Sequence, residues 1–105
     1  MFILRNDRTD QLFFGNERQM LIVCRNRQSA KNAIRELQER TDMSFRYERI
    51  NPAQTAGLWF LRRRNGRMHR AAPGVTFAFR NEKDAWNHSG AVFKETSKIL
   101  IPTLN

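Results

Sequence analysis

The side chains best equipped for chemistry in this 105-residue chain are arginines crowded into one window. Residues 52–75 hold Arg62, Arg63, Arg64, Arg67 and Arg70, with His69 among them and no Asp or Glu. Their net charge of +5 is more than half of the +9 carried by the whole chain, and each remaining segment is nearly balanced. A guanidinium grips phosphate or carboxylate through a planar fork and also stacks on flat rings, so this composition points to an anionic partner.

The dipeptide Asn65-Gly66 lies in the middle of these arginines. Asn-Gly is the strongest short signal for a two-residue type I′ hairpin turn, so strands are expected over residues 58–64 and 67–70. Such a turn sets Arg64 opposite Arg67, Arg63 opposite Met68, Arg62 opposite His69 and Leu61 opposite Arg70. It places Arg62, Arg64, Arg67 and His69 on one face, and Arg63 and Arg70 on the other beside Trp59, Leu61 and Met68. Like charges facing each other across a sheet are destabilising, so a polyanion is the economical neighbour. The leading expectation is therefore a basic β-ribbon against the backbone of DNA or RNA, with Trp59 as a base-stacking surface and Arg46, Arg49 and Arg80 extending the surface. The plainer alternative is a solvated edge hairpin whose arginines prevent strand-to-strand aggregation.

Other chemistry is sparse. His69 and His88 are the only histidines and Cys24 the only thiol, and their spacing suits no closed zinc site. The sequence has no glycine-rich phosphate loop, nucleophile elbow or paired carboxylates, so no catalytic residue, metal or cofactor is expected. The best catalytic alternative is a metal-independent ribonuclease, with His69 as acid or base, Arg62 or Arg67 stabilising phosphorane charge, and Tyr47 or Glu48 as second proton carrier. A reading from another class is a small phage- or mobile-element-type inhibitor that docks its arginines on an acidic or nucleic-acid-binding surface of a larger protein. Arg recognises both kinds of anion, and the sequence leaves that choice open.

These side chains need a scaffold, and the chain has the means to build one. Apolar residues make up 40% and include eight Phe, which separates this chain from a disordered basic tail. The length suits a single domain spanning residues 1–105. No apolar run is long enough to span a membrane, no secretory h-region is present, and one cysteine makes no internal disulfide, so a reducing cytoplasm is the expected setting. Oligomeric state is not legible.

Residues 2–5 and 12–14 read as an N-terminal hairpin around a polar turn. Residues 20–24, Met-Leu-Ile-Val-Cys, form an unbroken apolar run too short for a helix, as expected for the strand at the sheet centre. A helix over residues 28–40 follows, capped by Asn26 or Ser29, with Ala30, Ala33, Ile34 and Leu37 on its inner face. Alternation predicts strands over residues 45–50 and 75–79. A second helix starts near Glu82 after an Asn81 cap, with Ala85, Trp86, Val92 and Phe93 on its apolar side. Gly90 inside it costs about 1 kcal/mol relative to Ala. Residues 98–101 read as a last strand, ended by Pro102.

One internal echo bears on the fold. The segments starting Arg25-Asn26 and Arg80-Asn81 each run from an apolar strand into Arg-Asn and then into a helix, with Ala30 matching Ala85 and Asn32 matching Asn87. Two such strand-to-helix units imply an α+β class: a mainly antiparallel sheet, one long and one shorter helix on one face in a split β-α-β-like arrangement, and a protruding basic hairpin. This skeleton resembles the RNA-recognition motif in architecture. Leu12-Phe13-Phe14-Gly15-Asn16 and Gly74-Val75-Thr76-Phe77-Ala78-Phe79 are similar to its two strand signatures, where alternate aromatics stack on bases. The order of elements differs, because residues 20–24 stand between the first signature and the helix.

Overall fold

A computed structural model describes residues 1–10, 13, 14 and 20–105. Its elements in chain order are β1 (Phe2–Asn6), β2 (Phe13–Phe14), β3 (Met20–Cys24), α1 (Arg27–Arg40), β4 (Phe45–Arg49), a 3-10 turn (Pro52–Thr55), β5 (Trp59–Arg63), β6 (Val75–Phe79), α2 (Glu82–Thr96) and β7 (Leu100–Leu104). Six strands form an antiparallel sheet in the order β4-β1-β3-β6-β5-β7, and β2 pairs with β3. The fold is α+β. As its unbroken apolar run predicts, β3 lies at the centre, with Leu21, Ile22, Val23 and Cys24 all buried.

The two halves of the molecule repeat one design. β1, β3, α1 and β4 match β5, β6, α2 and β7, with the central strands β3 and β6 paired antiparallel. Residue 22 corresponds to residue 77, Asn26 to Asn81 and Phe45 to Leu100, a constant offset of 55. The first strands correspond at an offset of 57, with Phe2 matching Trp59, and every pairing of β1 then maps onto one of β5. Phe2↔Cys24 becomes Trp59↔Phe79, and Phe2↔Arg49 becomes Trp59↔Leu104. A pseudo-two-fold axis passes through the pair Ile22↔Phe77. The Arg-Asn echo is the trace of this repeat. Asn26 Oδ1 accepts from Ser29 N–H and Asn81 Oδ1 from Asp84 N–H, each at 2.8 Å, capping the two helices alike.

Both helices pack on the same side of the sheet. Under α1, Ala30, Ala33, Ile34 and Leu37 meet Phe2, Leu4, Ile22, Cys24 and Val75. Under α2, Ala85 and Val92 meet Leu61, Phe79 and Leu100. The opposite side is covered in part by the connection from β4 to β5, whose Ile50 and Leu58 pack on Ile3, Leu21, Val23, Phe60 and Ala78. The 3-10 turn in this connection is fixed by a capping box between Asn51 and Gln54.

Several expectations are corrected. β1 does not form a hairpin with β2: Phe13 and Phe14 pair with Leu21 and Met20, while β1 pairs with β3 and β4. The remainder of that expected hairpin lies outside the described residues. On α2, Trp86 and Phe93 are each 51% exposed, and of the four residues expected on the apolar side Ala85 and Val92 face the core. Pro102 sits inside β7 instead of ending it. Asn105 N–H donates to Leu58 O and its carbonyl accepts from Gly57 N–H, so alternate residues of β7 bond to β5 and Pro102 faces the open edge. A proline is tolerated there because that N–H has no partner to lose.

Candidate nucleic-acid interface

The arginine-rich segment forms an arm that prolongs β5 and folds back on itself. Arg63 N–H donates to Arg67 O at 2.8 Å, Gly66 N–H to Arg63 O at 2.9 Å and His69 N–H to Leu61 O at 2.9 Å, with Arg62 opposite Met68. The loop is therefore Arg64-Asn65-Gly66, three residues rather than the two expected. It has a tight turn followed by Gly66 at φ +84°, the pattern of a type I turn closed by a glycine bulge. The Asn65 side chain accepts from Arg67 N–H at 3.0 Å and holds the turn. The expected return strand is reduced to a single bridge at Met68.

One residue of register exchanges the faces. Arg62 joins Phe60 and Met68 on the side away from the helices, and its guanidinium donates to Gly66 O at 3.0 Å. Arg63, Arg67 and His69 share the helix side with Leu61, with Arg64 at the tip. The grouping of Arg62, Arg64, Arg67 and His69 on one face is thus corrected. The like-charge pair directly opposed across the arm is Arg63 and Arg67. A cleft of about 460 Å³ lies between Arg63, Arg67, Met68 and Arg70. The outgoing strand of the arm is no sheet edge, because Arg62 and Arg63 pair with Ile101 and Leu100 of β7.

The base of the arm is fixed by a close approach. The chain turns back into β6 at Gly74, which has φ +73° and whose carbonyl accepts from Arg25 N–H at 2.8 Å. A Cβ on Gly74 would run into the side chain of the buried Ser29 at the start of α1. Only glycine combines that positive φ with that contact.

Cross-sheet register defines which charges share the arm end. Arg49 pairs with Phe2, Phe2 with Cys24, Cys24 with Val75, and Arg63 with Leu100. One end of the sheet therefore carries Arg49, the α1 start at Arg25 and Arg27, the arm, and Lys98 just before β7. Among the described residues, no salt bridge joins Arg25, Arg27, Arg49, Lys98 or any arm arginine to a carboxylate. At the opposite end two arginines are paired with carboxylates. Arg5 contacts Asp10 and Glu48, and Arg46 contacts Asp7 and Asp10. The carboxylates hold the Arg46 guanidinium above its usual pKa. The pseudo-two-fold relates these ends: the arm occupies the place in the second half that the Asp7 and Asp10 connection takes in the first.

The expected site residues thus divide. Arg62, Arg63, Arg64, Arg67, His69 and Arg70 belong to the arm, and Arg49 lies at the same end of the sheet across several strands. Arg46 is neutralised by its carboxylates, and Arg80 follows Phe79 at the end away from the arm. Trp59 pairs with Phe79 and Leu104 at that far end, half-buried against the α2 cluster, and so does not accompany the arginines. The likeness to the RNA-recognition motif also stops at its platform. Phe77 and Phe79 lie on the helix-covered side, where His88 packs on them with centroids 5.5 and 5.4 Å away. Arg25, Arg27 and Lys98 are additions that only strand register reveals.

The pKa of His69 is lowered by burial first, then by the positive charges of Arg63 and Lys98. Its Nδ1 is buried without a hydrogen-bond partner among the described residues. Tyr47 and Glu48, offered as companions in a ribonuclease, lie on β4, about four strand spacings or ~19 Å from β5. The structure does not bring that trio together. Burial pushes the Cys24 thiol up to about 11, in keeping with a small core residue. Among the described residues no group of His, Cys, Asp and Glu is placed to hold a metal ion, and no helix is long and apolar enough to cross a membrane. The chain matches no protein-family model, no curated protein and no solved structure.

Proposed function

We propose that this protein binds the phosphate backbone of a nucleic acid through the arm, with Arg25, Arg27 and Lys98 widening the contact at its base. One observation carries the reading: Arg5 and Arg46 at the far end of the sheet are paired with carboxylates, while among the described residues no carboxylate pairs with the cations of the arm end. Keeping Arg63 and Arg67 face to face costs stability that an anion between them recovers. The α1 N-terminus adds the positive end of its dipole, with no acidic residue in its first turn. Binding rests on phosphate contacts and tolerates many sequences, because Phe60, Phe77 and Phe79 of the sheet are covered and unavailable for stacking on bases.

Fluorescence polarisation with labelled duplex DNA, single-stranded DNA and RNA tests this. Neutralising about five phosphates on duplex DNA gives a log–log salt slope of roughly −4 to −5, with affinity falling steeply between about 50 and 200 mM salt. A triple change of Arg63, Arg64 and Arg67 to Glu should abolish binding while leaving the thermal melt intact. Absence of micromolar binding at low salt rejects the proposal, and an arm variant that binds like the parent moves the site elsewhere.

A further inference from the structure

The repeat supplies an internal control for every exposed residue of α2 and β7. The first half places Lys31, Arg35 and Gln38 on α1, and Ser44, Arg46 and Arg49 on and beside β4. At the corresponding positions the second half places Trp86, Gly90 and Phe93 on α2, and Ile99, Ile101 and Leu104 on and beside β7. All five of these large apolar residues are 45–55% exposed. The first half folds to the same register with polar residues there, so the fold does not require an apolar surface at these positions.

Helical geometry puts Trp86, Gly90 and Phe93 in one stripe, at i, i+4 and i+7. The stripe lies on the flank opposite His88, which rests on Phe77 and Phe79 of β6, and so it faces outward past β7. Gly90 has open space where a Cβ would be, and its φ is not positive. Nothing among the described residues explains a glycine there, at the midpoint of an exposed helix face between two large aromatics. A second helix crossing at that point does explain it, because the missing side chain lets two backbones approach.

We infer that α2 is a dimerisation helix, packing antiparallel on α2 of a second copy about a two-fold axis at Gly90. The surface is complementary to itself. Two-fold rotation about Gly90 sets Trp86 near Phe93 of the other copy. Lys94 falls over the opposing Trp86, where an ammonium is attracted to the indole face. The antiparallel helix dipoles are favourably aligned. Strand addition at β7 is not the mode, because Pro102 removes the central outward N–H of that edge. This inference is independent of what the arm binds.

Sedimentation equilibrium of the full chain across the micromolar range tests it. The parent should be a dimer. Trp86→Lys with Phe93→Gln, which copies the first half, should weaken association by roughly 100-fold or more, as loss of two central aromatics does. Gly90→Ala separates association from folding: it should raise the monomer melting temperature through helix propensity while weakening the dimer roughly tenfold by crowding the crossing. Gly90→Cys should form a disulfide-linked dimer on mild oxidation, with the buried Cys24 as a silent background. The inference is overturned by a parent that stays monomeric, by a Trp86→Lys/Phe93→Gln variant that dimerises like the parent, by Gly90→Ala leaving association unchanged, or by a dimer that Gly90→Cys fails to cross-link.

Discussion

The anchoring of the arm rests on Gly74, and replacing it with alanine puts two separable costs on one position. The first is conformational: an L-residue held near φ +73° pays about 1–2 kcal/mol. The second is steric. The new Cβ meets the Ser29 side chain, which is buried under the same turn, and relieving such overpacking typically costs about 1–3 kcal/mol. Together they predict a loss of about 2–5 kcal/mol, or a fall in melting temperature of at least about 10 °C for a domain of this size. Gly66 supplies the control. Its φ of +84° is similarly left-handed but its surroundings are open, so Gly66→Ala carries only the first cost. Urea denaturation of the two variants and of Ser29→Gly/Gly74→Ala should show Gly74→Ala less stable than Gly66→Ala by about 1–3 kcal/mol, with most of that difference recovered when Ser29 is removed. Equal losses at the two glycines, or no coupling to Ser29, would refute the close-approach account.

Other consequences can be measured directly. Asn26→Ala and Asn81→Ala should each cost about 0.5–2 kcal/mol in denaturant melts, and by similar amounts, because the two caps have the same geometry. The folded pKa of His69 lies below its ordinary value of 6.5, so its contribution to stability is complete above that value and is lost as pH falls through the folded pKa. His69→Gln should remove that slope in melts, while NMR titration should show the histidine pKa rising when DNA binds or when Arg63 and Lys98 are changed to Gln. Cys24, with a pKa of about 11, should resist thiol reagents at mildly alkaline pH in the native protein and react once denatured. Rapid native-state labelling would show that β3 is not the closed centre of the sheet.

The sequence alone determined much of this protein where the physics is local. An apolar run of five residues with no polar alternation, Met20–Cys24, can be satisfied only by burial on both sides, and it became the central strand. Asn26 and Asn81 mark helix starts because a short side-chain acceptor matches the free N–H groups of the first turn, and that match also betrayed the repeat. The charge imbalance of residues 52–75 is a property of composition and survives any fold. Tertiary structure decided everything that depends on register or on a remote neighbour. One residue more in the Asn65-Gly66 loop reversed the faces of the arm, since side chains alternate with a period of two. Pairing across the sheet brought Arg25, Arg27 and Lys98 to the arm end, drew Arg46 into a network with Asp7 and Asp10, and sent Trp59 and Arg80 to the far end. Trp86 and Phe93 looked like core because apolar residues usually are; only the direction of α2 over β5, β6 and β7 turned them outward. The +5 of the arm was thus written in the sequence, but its shape and the cations beside it follow from contacts between residues tens of positions apart.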